Sequence, residues 1–244
     1  LRKIIFHYHL FKNAGTSLDR LLAKNFPNQW VSKEFSGPVH LRRKDVAQWF
    51  LNEMDAVAFS SHTAVPLQVG LENIEIFPIS FVRHPIDRIA SAYTFERRQG
   101  VNTFGSTLAR NVSLAGYIDV HLSLGHDSQC RNFLLKHFSA FSDAVAQDRE
   151  IRAENVVDAL PFIGLVEEYA ESIERLAAWL RPHFPEFQPL VFEANVTREI
   201  SAPLDERLSQ IRQEIGPDLY QKVSEANKAD FILYERVKQR YSSK

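Results

Sequence analysis

Hydrophobic positions along the chain switch between two spacings, and the switches mark the elements. Residues 4–11 form an apolar and aromatic run, Ile4-Ile5-Phe6-His7-Tyr8-His9-Leu10-Phe11, followed by a break at 12–15. Leu18, Leu21 and Leu22 then take the spacing of one helix face. The pattern predicts a strand, a tight loop and a helix, with Thr16 and Ser17 as natural N-caps and Gly15 supplying unusual backbone angles. Phe26-Pro27-Asn28 interrupts the chain, and 29–41 reads as irregular or short extended structure. A helix capped by Asp45 and running through Asn52 would turn Val46, Trp49 and Phe50 inward.

Residues 55–60 read as a buried strand ending at Ser61-His62-Thr63, and 74–82 as another that runs into Arg83-His84-Pro85. Pro85 suits the first position of a helix whose apolar stripe is Ile86, Ile89, Ala90 and Tyr93. Residues 99–112 lack periodicity and read as a mobile loop beside a site. Helices follow at about 114–123, 127–138 and 143–159, then a strand at 162–166. The next helix carries Tyr169, Ile173, Leu176, Ala177 and Leu180 at helical spacing, and Pro182, Pro185 and Pro189 break the chain after it. Two closing helices, about 204–215 and 217–240, complete the pattern. Alternating strands and helices, with no repeat and no linker, predict one α/β domain over residues 1–244. It is built on a central, mostly parallel sheet flanked by helices.

Composition narrows the function. With 29 basic and 30 acidic residues the formal net charge is −1, which gives no general affinity for nucleic acid or membranes. Arg42-Arg43-Lys44 and Arg97-Arg98 are local basic clusters. No apolar run approaches the length of a membrane span. Cys130 is the only cysteine, so no intrachain disulfide can form, and a reducing, cytoplasmic setting is expected. A signal or anchor preceding Leu1 stays open.

The first loop has the chemistry of anion capture. A helix that opens after a strand points free N–H groups and a positive dipole end out of the sheet, where phosphate or sulfate is stabilised. Lys12 adds a full charge, and Thr16 and Ser17 add hydroxyl donors. The loop is not a Walker A motif, which needs Gly, four residues and Gly-Lys-Ser/Thr; here Lys12 precedes Gly15. A second stretch, Arg83-His84-Pro85-Ile86-Asp87-Arg88-Ile89-Ala90-Ser91, sets an arginine at a strand end and a serine eight residues later. A guanidinium binds phosphate oxygens bidentately, and a helix serine donates from the side. Read alone, Arg83 pairs equally well with Asp87, and Ser91 is simply a small helix residue.

Together the two stretches resemble the donor site of sulfotransferases that use 3′-phosphoadenosine-5′-phosphosulfate (PAPS). Lys12-x-x-Gly15-Thr16-Ser17 is similar to the family's 5′-phosphosulfate loop, and Arg83 with Ser91 to its 3′-phosphate element. The resemblance implies a P-loop-like sulfotransferase fold. It implies donor binding by Lys12, Asn13, Ala14, Gly15, Thr16, Ser17, Arg83, Ser91 and Thr197. Phe59-Ser60-Ser61-His62 looks like the strand-end histidine segment of the uronosyl 2-O-sulfotransferase branch, where the histidine is the catalytic base. Phe162-Ile163-Gly164-Leu165-Val166-Glu167 and Asp230-Phe231-Ile232-Leu233-Tyr234 resemble that branch's Gly-x-x-Glu and Asp-x-x-Leu-Tyr segments. Two positions depart from the pattern. Thr63-Ala64-Val65-Pro66 lacks an expected aromatic, and Asn195 stands where an arginine or lysine would help bind the donor.

The implied reaction is in-line transfer of a sulfuryl group from PAPS to a hydroxyl of a glycan acceptor. Lys12 would stabilise the bridging oxygen, His62 would act as general base, and no metal would be needed; the product is adenosine 3′,5′-bisphosphate. Of the other histidines, His7 and His9 share a strand face and read as core or loop support rather than a metal pair. His84 positions a turn, and His121, His126, His137 and His183 read as surface. Two alternatives remain, a P-loop-type small-molecule kinase and a non-catalytic nucleotide-binding module of the same fold.

Overall fold

The computed structural model describes residues 1–67, 70–144, 146–191 and 202–242. The chain divides into two compact units, Leu1–Val82 with Phe138–Asn195, and Arg83–His137 with Val196–Lys244.

The first unit carries the sheet. Its strands are β1 (Arg2–Tyr8), β2 (Trp30–Ser32), β3 (Ala58–Ser61), β4 (Ile74–Val82) and β5 (Phe162–Leu165), in the order β2-β3-β1-β4-β5. Every pairing is parallel, as the alternating pattern requires. β1 is therefore central. Its odd positions Ile5 and His7 face one side and Phe6 and Tyr8 the other. On the first side Ile5, Ala58, Phe77, Ile79 and Phe81 pack with Leu18, Leu21 and Leu22 of α1 (Gly15–Asn25). Ile173, Leu176, Ala177 and Leu180 of α8 (Tyr169–Leu180) complete that cluster. On the second side Phe6 meets Phe50 of α2 (Val39–Asn52) edge to face at 5.0 Å, and Phe59 meets it at 4.9 Å. Pro78 is tolerated inside β4 because β5 pairs only from Ile79 onward. Gly164 sits under Phe81, whose ring would lie 2.3 Å from an added Cβ.

The second unit is helical. α3 (Pro85–Arg98), α4 (Phe104–Asn111) and α5 (Leu114–Ser123) pack with α9 (Leu204–Ile215) and α10 (Pro217–Ala226). Ile86, Ile89, Tyr93, Tyr117, Ile118, Ile211 and Val223 are among the core residues of this bundle. α11 (Lys228–Ser242) follows, α6 (Phe133–Phe141) spans the division, and α7 (Arg149–Ala159) belongs to the first unit.

The α/β class and parallel sheet agree with the sequence pattern, and β4, α5 and α9 have the expected bounds. Four expectations are corrected. α2 starts at Val39, so Asp45 lies inside it and caps nothing; Pro38 is the N-cap. The stretch 99–112 is no open loop. Thr103 and Ser106 form a reciprocal capping box that starts α4. The helix expected from 127 begins only at Phe133. The final helix breaks at Asn227, which is 1% exposed. Its amide donates to the Cys130 and Val223 carbonyls, and its oxygen accepts from the Asn132 N–H. A side chain that bonds backbone on two segments displaces the continuous helix.

The aromatic face predicts a contrast within one helix. Phe50→Ala should lower the stability read by urea unfolding by about 3–5 kcal/mol. Leu51→Ala, at a position 45% exposed, should change it by no more than about 0.5 kcal/mol.

Candidate functional site

In the first unit, residues 9–14 join the end of β1 to α1. Lys12 has φ 63° and Ala14 has φ 60°, so two residues with side chains occupy the left-handed region. That conformation is uncommon outside glycine, and it reverses the chain sharply here. Ala14 is the N-cap, and the N–H groups of Ser17 and Leu18 bond its carbonyl at 3.0 and 3.1 Å. Thr16 and Ser17 thus lie in the first turn of α1 and do not cap it. Their placement still lines the helix start, where backbone N–H groups lack intrahelical acceptors. Asn13 is 1% exposed. Its amide donates to the Phe11 carbonyl at 2.9 Å, while its Oδ1 has no hydrogen-bond partner among the described residues.

Gly15 is needed for a reason other than the expected one, since its φ is not positive. A Cβ there would fall 2.0 Å from Cδ2 and 2.1 Å from Nε2 of His9. The glycine makes room for an imidazole. His9 lies one residue past β1, with its N–H on the Ser61 carbonyl at 2.9 Å. Its Nδ1 meets Oδ2 of Asp19 at 2.8 Å, and Nδ1 of His7 meets Oδ1 of the same carboxylate at 2.8 Å. Burial alone would raise the Asp19 pKa. The charge and hydrogen bond of His7 and the hydrogen bond of His9 outweigh it, and Asp19 is held well below the usual carboxylate range. Burial lowers the pKa of His9 and leaves its ring neutral, against the opposing pull of Asp19. An ionised Asp19 accepting at Nδ1 leaves Nε2 of the neutral His9 ring as its lone-pair nitrogen. The three side chains bring metal-type ligand atoms within 4.8 Å of one another, but each Nδ1 is matched to its own carboxylate oxygen. They support the loop from beneath.

His62 follows β3, and its ring stacks on that of His9 with centroids 3.7 Å apart and planes 29° apart. Its Nδ1 contacts Oε1 of Glu34 at 2.7 Å, and its own N–H reaches both Glu34 oxygens at 3.1 Å. Thr63 Oγ1 donates to Oε2 at 2.8 Å. Burial would raise the Glu34 pKa, yet the hydrogen bonds from His62 and Thr63 bring it down, so the carboxylate is ionised. The Nδ1–H of His62 points at Glu34, and Nε2 is the free acceptor on a ring about half exposed. The loop at 12–17, His9 and His62 therefore belong to one neighbourhood of the first unit.

The second unit holds the other pair of expected donor residues. Arg83 is 5% exposed and Ser91 3% exposed, both on or beside α3. Arg83 Nε donates to Oδ2 of Asp87 at 2.6 Å, so the pairing suggested by the spacing is present. Arg207 of α9 grips the same carboxylate with Nε at 3.2 Å and Nη2 at 3.1 Å. Asp87 is fully buried, and its two arginines overcome desolvation to lower its pKa. His84 packs edge-on against Phe231 and Tyr234, and burial lowers its pKa to about 4. His121, expected on the surface, is 3% exposed and bonded to Asp127 at 2.8 Å. Thr197 and Asn195 lie outside the described residues.

In the first unit the start of α1 lies beside a carboxylate-anchored histidine, and in the second a strand-end arginine is followed by its helix serine. The profile of the Sulfotransferase family matches residues 2–236. The chain is a member of the sulfotransferase family. An uncharacterized protein of Archaeoglobus fulgidus is 42% identical over 252 aligned residues, covering 98% of this chain and 98% of that protein. Membership makes this sulfotransferase a transferase of sulfuryl groups, with a sulfonate donor and an acceptor. No helix among the described residues is long and apolar enough to cross a membrane.

Glu34, Asp19 and Arg207 were not anticipated from the sequence. Asp87, four residues after Arg83 on one helix face, carried a local signal. Glu34 carried none, because it lies on the irregular segment after a three-residue strand.

Asp87 gives a pH prediction. Its folded pKa is lowered, so its stabilising contribution is present above the unfolded value near 4 and is lost as pH falls through the folded value. Arg83 and Arg207 stay charged throughout. The stability gap between the wild type and Asp87→Asn in urea unfolding should be full at pH 7 and shrink steadily below pH ~4.

Proposed function

We propose that this sulfotransferase uses PAPS and transfers the sulfuryl group in line to a hydroxyl of a carbohydrate acceptor, with His62 as general base. The observation that carries this reading is the Glu34–His62 contact. An ionised carboxylate at Nδ1 fixes the tautomer and turns a basic Nε2 outward, as a general base requires. When an acceptor hydroxyl attacks sulfur, its proton passes to Nε2, and Glu34 stabilises the resulting imidazolium. The S–O bond to the 5′-phosphate breaks and leaves adenosine 3′,5′-bisphosphate. Sulfuryl transfer asks for alignment and charge neutralisation more than covalent help. Lys12, the first turn of α1 with Thr16 and Ser17, and the backbone of Asn13, Ala14 and Gly15 supply these at the 5′ end. Arg83 and Ser91 take the 3′-phosphate, with Thr197 as a further donor contact.

A sugar hydroxyl is the acceptor class suggested by the resemblance of the His62 and Asp230–Tyr234 segments to the uronosyl branch. The kinase alternative lacks the Gly-Lys-Ser/Thr ending that a Walker A loop uses.

Calorimetry without magnesium should show adenosine 3′,5′-bisphosphate binding far more tightly than AMP or ATP; equal affinity for AMP would overturn the PAPS reading. With radiolabelled PAPS and a panel of desulfated glycans, phenols and tyrosine peptides, label should enter a glycan. Exclusive labelling of phenols or peptides would reassign the acceptor. His62→Ala should lower kcat by roughly 10²–10⁴ while nucleotide affinity holds, and Glu34→Gln should lower it by roughly tenfold or more. A folded His62→Ala protein with near-normal turnover would remove His62 from the base role.

A further inference from the structure

The second unit contains a buried charge set that does not balance by itself. Arg83, Asp87 and Arg207 are all 5% exposed or less. Two guanidinium groups share one carboxylate, which leaves a surplus of one positive charge. A surplus charge removed from water is costly unless a counter-charge arrives. The hydrogen bonds show where the surplus resides. Arg207 is fully engaged: Nε and Nη2 fork onto the two Asp87 oxygens, and Nη1 donates to the Ala202 carbonyl at 2.6 Å. Arg83 gives Asp87 only its Nε. Among the described residues, Asp87 is the one polar partner of the Arg83 guanidinium, and its Nη edge carries the donors that remain.

We infer that Arg207 is a positioning and specificity residue for the donor's 3′-phosphate, acting through Asp87 on Arg83. Arg207 neutralises Asp87 and occupies both of its oxygens. Arg83 therefore cannot fold bidentately onto the aspartate and keeps both its net charge and its Nη edge for a phosphate. Without Arg207, Arg83 and Asp87 would form a closed neutral pair, and a dianionic 3′-phosphate would meet no net positive charge. Asp87 in turn sets the plane of the Arg83 guanidinium by holding Nε. Arg207 does not touch the ligand in this scheme. The inference rests on the PAPS reading and adds to it a reason why a 3′-phosphorylated nucleotide is preferred.

The test compares adenosine 3′,5′-bisphosphate with AMP, which lacks the 3′-phosphate, by calorimetry on the full chain. Thermal unfolding is measured on the same preparations. Arg207→Met should weaken the bisphosphate on the order of tenfold and leave AMP unchanged. Adding Asp87→Asn to Arg207→Met removes the unbalanced carboxylate and should recover much of the lost preference. A residue that only braced α3 against α9 would not give that recovery. Should Arg207→Met fail to fold, Arg207→Lys retains the charge without the fork and should keep most of the preference, while the double variant is read against it. A wild type that prefers the bisphosphate, with Arg207→Met showing the same preference, would overturn the inference. A wild type with no preference would instead overturn the PAPS reading itself.

Discussion

The first unit depends on one carboxylate. Asp19 stands on the first turns of α1 and accepts from His7 and His9, which lie on a single face of the central chain segment at β1. This contact links the middle of the sheet to the helix that follows the loop at 9–14, and it sets the height of His9. Everything above follows from that height. Gly15 must be glycine because His9 fills the place of its Cβ. Ala14 and Lys12 must take left-handed angles because the loop has six residues in which to pass around the ring and reverse. His62 has a flat neutral surface to stack on because His9 is buried and uncharged.

The two stacked imidazoles have different tasks, and their carboxylates account for it. Asp19 is divided between two rings in a buried setting, so His9 is locked. Glu34 serves one ring at the protein surface, and that ring remains about half exposed with its outer nitrogen available. Burial keeps His9 from placing a positive charge against the His62 ring. The same logic of surplus and balance recurs in the second unit, where Arg83 and Arg207 divide Asp87 between them.

Much of this was legible in the sequence, because periodicity reports burial directly. The strand at 74–82 ends where its apolar run ends, and Pro85 fixed the start of α3. Lys12, His62 and Arg83 each stand at an element boundary that the pattern located, and Ser91 lies inside the helix it predicted. What could not be read were partners supplied by distant segments. Glu34 reaches His62 across 28 positions and Arg207 reaches Asp87 across 120; neither spacing leaves a local trace. The start of α6, which relies on Asp230, was misjudged for the same reason. α4 announced itself only through a Thr103–Ser106 pair in a stretch otherwise free of periodicity.

Asp230 shows what such distant partners mean for a chain made from one end. Its carboxylate accepts the backbone N–H groups of Leu134 and Leu135, closing the start of α6 from 96 and 95 residues away. Burial pushes its pKa up to about 6 despite those bonds. On the ribosome, α6 emerges long before the residue that satisfies its first turn. Between the two segments of the helical unit the chain must also deliver β5 and α8, which belong to the first unit. The helical unit thus cannot be completed in passing, as an N-terminal module can. Its first half waits with open helix ends until α11 arrives, and a ribosome that stalls between β5 and α9 holds a nascent chain whose sheet strands are all present and whose Arg83–Asp87 pair has not yet met Arg207.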